Sequence, residues 1–137
     1  MIEVKENYKT VIRLYFKLFL RVKDFKELGD DLFSFENKDG NTRVVKCVGS
    51  PAHSKYGIPL DAFKGDGFDY IAVIFPYMRD TLANFIVIEP DKFTKWANKN
   101  KDLYTKVKYG DAGYVLIKDG TEVNNFSIYV ENLKDGI

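Results

Sequence analysis

The chain has 137 residues, 45% of them hydrophobic and 30% charged, which suits one folded domain spanning residues 1–137 and argues against wholesale disorder. Its 21 Lys and Arg stand against 20 Asp and Glu, and a net charge of +1 excludes a molecule-wide field that would draw it onto nucleic acid or anionic lipid. A single cysteine, Cys47, excludes an internal disulfide and a multi-cysteine zinc site and fits a reducing compartment.

From Glu6 to Lys26, the apolar residues Val11, Ile12, Leu14, Tyr15, Phe16, Leu18, Phe19, Leu20 and Val22 alternate with the basic residues Lys5, Lys9, Arg13, Lys17, Arg21 and Lys23. Basic residues four apart share one helical face, so this spacing predicts a long amphipathic helix packed on a sheet. Its basic stripe reads first as a solvated face and second as a phosphate contact. The same cations interrupt any apolar run long enough for a signal peptide or membrane span, so the chain is read as cytoplasmic, with no membrane partner.

Gly29 in "ELGDD" ends the helix as a left-handed cap. Residues Leu32–Phe35 and Arg43–Val48 then read as two strands around "NKDGNT", where Asp39-Gly40 supplies the positive dihedrals of a tight hairpin. Residues 49–67 mix Gly, Pro, Ser and charge without a period and predict a long loop with one helical turn near Leu60–Phe63. "FDYIAVIF" and "NFIVIEP" are near-continuous apolar runs, as expected for central strands covered on both faces. Pro90 stops the second of them, and residues 91–100 read as a short helix capped by Asp91, with Phe93, Trp96 and Ala97 facing inward. The remainder offers two or three short strands in "LYTKVKYG", "GYVLIKDG" and "NFSIYVENL". The elements together describe an α+β or mixed α/β fold, a central mixed β-sheet flanked by a long N-terminal helix and a shorter helix near 91–100.

Chemistry is concentrated in "DDLFSFENKDGNTRVVK". Metal-assisted phosphodiester cleavage needs carboxylates converging on one divalent ion and a lysine nearby to orient water. A hairpin supplies such groups because side chains on a strand alternate with period two. On these residues the chain resembles the PD-(D/E)XK nuclease superfamily, in its small restriction-endonuclease-like form. The resemblance covers roughly residues 6–100: the leading helix, this hairpin, and the segment "FDYIAVIFPYMRDTLANFIVIEPDKFTKW".

The resemblance implies a restriction-endonuclease-like fold that binds or cleaves DNA with magnesium, Asp31 serving as metal ligand and Lys46 as the water-orienting lysine. The superfamily carries an acid two residues before that lysine, where this chain has Val44, and the literal acid-x-lysine triplet is Glu36-Asn37-Lys38. Glu36 is therefore assigned the second metal-ligand position on chemical grounds. With Val44 in place the alternative is an inactive site on a fold kept for binding.

A second reading from another class is a non-enzymatic interaction domain, of immunity or anti-defence type, that binds a partner protein through a sheet edge or the acidic hairpin. The near-neutral charge and Val44 both favour it. Elsewhere, His53 has no neighbouring nucleophile motif and reads as a loop residue. Cys47 alternates with Lys46 and points into the core. "KGDGFD" lacks the spacing of a phosphate-binding loop, and "YTKVKYGDAGY" reads as an exposed sheet edge before it reads as a single-strand contact.

Overall fold

A computed structural model describes residue 10 and residues 12–29, 31–50, 56–75, 85–109 and 112–129. Among them are nine strands: β1 (Lys23–Glu27), β2 (Leu32–Glu36), β3 (Thr42–Gly49), β4 (Tyr56–Pro59), β5 (Tyr70–Ile74), β6 (Phe85–Ile88), β7 (Tyr104–Tyr109), β8 (Ala112–Ile117) and β9 (Ser127–Tyr129). One α-helix, α1 (Pro90–Lys99), and 3-10 turns at Leu60–Phe63 and Gly120–Asn125 lie between them, and a helical segment ending in the π-type turn Tyr15–Phe19 precedes β1. Six strands form a mixed sheet in the order β1-β2-β3-β5-β6-β9, in which the neighbours β3 and β5 alone run parallel. A smaller antiparallel sheet has the order β4-β8-β7. The α+β class and the mixed sheet agree with the hydrophobic pattern, whereas the second sheet was not expected from it.

The central strands are apolar throughout because both of their faces are covered. On β5, Ala72 and Ile74 enter one core while Ile71 and Val73 enter the other, and on β6 Phe85 and Val87 oppose Ile86 and Ile88 in the same way. The first core is closed by Ile12 and Phe16 of the N-terminal helical segment over Phe33, Phe35, Val45 and Cys47. The second is closed by Phe93 and Trp96 of α1, Val123 and Phe126, and by Ile58, Val115 and Ile117 of the small sheet. Each fully buried Phe, Ile or Val contributes roughly 1.5–3 kcal/mol relative to exposure, so the two cores share the work of holding one sheet.

Three expectations are corrected. The long N-terminal helix does not reach Lys26: within the described residues it closes at Phe19 in a wide π-type turn, and Lys23–Glu27 is the strand β1. Arg21 and Asp24 adopt φ values of 49° and 52° where the chain turns back, and the Phe25 ring lies tilted against that of Phe33, centroids 5.2 Å apart. Leu14 and Leu18 are 48% and 59% exposed, so the helical segment buries a narrower stripe than its apolar residues suggest. Finally, α1 begins at Pro90 with Glu89 in the capping position and no side-chain cap, while Asp91 lies inside the first turn. Pro is well placed there, because a first-turn N–H has no helical partner to lose.

Candidate functional site

The hairpin β2–β3 forms as expected, with Leu32 opposite Lys46 and Glu36 opposite Thr42. Its turn is built by Asn37, whose Oδ1 accepts from the N–H groups of Asp39 at 3.0 Å and Asn41 at 2.9 Å. Of the Asp39-Gly40 pair, Gly40 takes the positive φ, 81°, and Asp39 does not.

That register separates the three residues assigned to chemistry. Cys47 N–H donates to the Asp31 carbonyl at 2.7 Å, so Asp31 continues the ladder one step before β2 and shares the Cys47 face. Glu36 lies five residues farther along, about 17 Å of extended chain, and an odd offset puts it on the opposite face. Its Oε1 leans over the turn, 3.6 Å from where a side chain at Gly40 would begin. Magnesium holds its oxygens at about 2.0–2.1 Å, so Asp31 and Glu36 have no point in common at which to grip one ion. Among the described residues no three His, Cys, Asp or Glu side chains gather as a metal-binding group.

Lys46 is engaged elsewhere. Its Nζ donates to the Ala62 carbonyl at 3.3 Å and stands 5.4 Å from the centre of the Phe68 ring. The lysine thus ties the large sheet to the 3-10 turn that covers it. Cys47 is buried in the first core, as its alternation with Lys46 requires. His53 and Asp30 lie outside the described residues.

A polar row on the first-core face was not anticipated. Arg43 of β3, Tyr70 at the start of β5 and Glu89 just after β6 lie side by side across the sheet. Burial holds the Tyr70 hydroxyl above its ordinary value of 10.0, and the Glu89 charge adds to this while Arg43 opposes it. Asp69 closes the neighbouring strand end by accepting from Val44 N–H at 2.9 Å, and Lys92 pairs with Glu89 at 2.7 Å. These partners satisfy one another, as a strand-end network does.

The sheet edges left open among the described residues differ more than the faces do. β9 offers three residues, and β4 offers four, ending in Pro59, which has no N–H to give. β1 is broken by a register shift between Lys23 and Lys26. β7 has six residues in unbroken register with β8. Lys118 N–H donates to the Leu103 carbonyl at 3.0 Å, while Leu103 N–H turns to the Asn100 carbonyl at 2.9 Å, so the 103–118 bond sets the phase of the ladder. Alternation then assigns the backbone groups of Thr105 and Val107 to β8 and turns those of Lys106 and Lys108 outward. Tyr104 anchors the strand, its hydroxyl donating to the Ala97 carbonyl at 3.1 Å and its ring 5.6 Å from Trp96.

Beside this edge the small sheet presents an outer face. Val107 lies opposite Tyr114, and Thr105 opposite Leu116. Val107, Tyr114 and Leu116 are half-buried and belong to neither core. The lysine-tyrosine alternation of "YTKVKYG" carried the signal for an edge, while nothing in it announced the apolar face alongside. No family model, curated protein or solved structure matches the chain. None of the helices among the described residues is long and apolar enough to cross a membrane.

Proposed function

We propose that this chain is a protein-interaction domain that receives an extended segment of a partner on the open side of β7. The observation that carries the reading is the outward-facing backbone of Lys106 and Lys108 on a regular six-residue edge. Such an edge is a template for strand addition, in which main-chain hydrogen bonds supply affinity and alternate side chains supply selectivity. Val107, Tyr114 and Leu116 give the added segment an apolar surface to lean on.

The restriction-endonuclease-like reading keeps the support of its element order, a helical segment, the hairpin β2–β3 and a parallel crossover to β5. It draws none from the carboxylates, because Asp31 and Glu36 stand apart and Lys46 is bound to Ala62. Incubation with plasmid and magnesium or manganese is therefore expected to give no metal-dependent nick. A nick that disappears in Asp31→Ala would overturn the interaction reading in favour of DNA cleavage.

The direct test compares the tagged protein with Lys106→Pro in affinity purification from the source lysate. Residue 106 directs its N–H away from β8, so proline there blocks an added strand without removing a ladder bond. A stoichiometric protein held by the parent and lost in the variant, with unchanged thermal melting, is expected. Nucleic acid released by salt in both proteins would contradict the proposal.

A further inference from the structure

We infer that the segment accepted by β7 is acidic and extended, with carboxylates at alternate positions and an apolar residue between them. The inference rests on the interaction reading above and names the chemistry of its partner. Lys106 and Lys108 are two residues apart, so their ammonium groups share one face of β7, and both side chains are exposed. Neither has a carboxylate within ion-pair distance among the described residues, where the pairs are Arg13–Glu27, Lys64–Asp61 and Lys92–Glu89. Val107, between them, turns to the other face beside Tyr114.

An incoming strand meets these side chains in the same alternation. Positions opposite Lys106 and Lys108 stand within about 4.5–5.5 Å between Cβ atoms, where opposite charge stabilises and like charge repels. The position between them faces the half-buried Val107 and Tyr114, where an apolar residue loses the least. The two lysines also explain the choice of partner in negative terms. A second copy of this edge would bring lysine against lysine, so the charge that invites an acidic segment discourages self-pairing.

The probe is a capped seven-residue peptide of alternating glutamate and valine, with its lysine-valine counterpart as control, titrated into the full chain and followed by amide chemical shifts. The glutamate peptide is expected to shift and protect the Lys106 and Lys108 amides. In the double variant Lys106→Glu, Lys108→Glu its affinity falls roughly tenfold, from the loss and reversal of two cross-strand charge pairs. The lysine peptide then binds the variant better than it binds the parent.

Equal binding of both peptides at β7 overturns the acidic partner and leaves the edge reading intact. Shifts confined to another surface, or no binding by either peptide when Lys106→Pro still abolishes capture of a protein, do the same. A concentration-dependent dimer that Lys106→Pro abolishes identifies a second copy as the occupant and also overturns the inference. No binding by either peptide, with capture unaffected by the proline, sinks the edge reading along with it.

Discussion

β1 and β7 both end a sheet and both carry lysine, yet the chain leaves their open sides in different states. At β1 the backbone is irregular: Arg21 and Asp24 sit at positive φ, and the pairing with β2 slips between Lys23 and Lys26. An incoming strand finds no continuous row of donors and acceptors there. Lys23, Asp24, Lys26 and Glu27 are exposed and of mixed sign, and the adjoining groove holds the Arg13–Glu27 ion pair at 3.3 Å. At β7 the row is continuous, its lysines are of one sign, and an apolar face adjoins it. Charge alone is therefore a poor guide to whether an edge is closed, and backbone regularity is the sharper one.

The two edges are uncoupled most forcefully from beneath. Trp96→Ala removes the ring that supports Tyr104 at the root of β7, while Phe33→Ala removes the ring under Phe25 of β1. Each is expected to lower unfolding free energy by about 3–5 kcal/mol in urea titration. Well below the melting temperature, the Trp96 variant loses the glutamate peptide and the Phe33 variant keeps it. Equal retention by both would mean that the edge does not depend on its own core.

A finer cut lies within β7. Val107→Pro removes an N–H that faces β8, leaving its acceptor without a partner at an expected cost of about 1–3 kcal/mol. Lys106→Pro, one residue away, is expected to change stability by less than about 0.5 kcal/mol while abolishing peptide binding. Identical thermal melts for the two would show that the alternation assigned from the Leu103–Lys118 pair is wrong.

Smaller effects come from surface charge. Glu27 is 56% exposed, so Glu27→Gln, which breaks the pair with Arg13, is expected to cost about 0–1 kcal/mol and to leave the irregular β1 edge as closed as before. Two groups are shifted in opposite directions and contribute at opposite ends of the pH range. Hydrogen bonds from Thr121 N–H and Oγ1 hold the Asp119 carboxyl below its ordinary 3.8. Its contribution is thus present above 3.8 and lost as pH falls through the lower folded value. Tyr70 is shifted the other way, so its contribution is present below 10.0 and lost as pH rises through the higher folded value. Asp119→Asn is expected to make the acid limb slightly less steep and Tyr70→Phe the alkaline one, read as urea midpoints across pH.

Much of the architecture was legible because local chemistry and long-range packing agreed. Leu32–Glu36 and Thr42–Gly49 pair around Asn37 and Gly40, residues whose side chain or missing Cβ makes the turn by itself. Pro90 stops β6 and opens α1, and Phe93 and Trp96 face inward at helical spacing. β4 escaped notice since "YGIP" has the composition of a loop and becomes a strand only against β8. The early end of the N-terminal helix was equally hidden: a positive φ is unfavourable for Arg21 and merely tolerated by Asp24, so neither residue announces the turn that accompanies the packing of Phe25 on Phe33. The odd spacing of Asp31 and Glu36 was readable in advance, and it already put the two acids on opposite faces once they were granted a single strand.

Dihedral preference and period in the chain were enough to give the strands of the 32–49 hairpin, the two central apolar strands, the turn between the first pair and the side chains apolar enough to fill two cores, but not β1 or β4. Tertiary structure decided that Lys46 binds Ala62, that β4, β8 and β7 make a separate sheet, and that no strand among the described residues pairs with the outer side of β7. The reason is that an edge is defined by what fails to pair with it, and pairing is settled by how distant segments compete to bury their apolar faces.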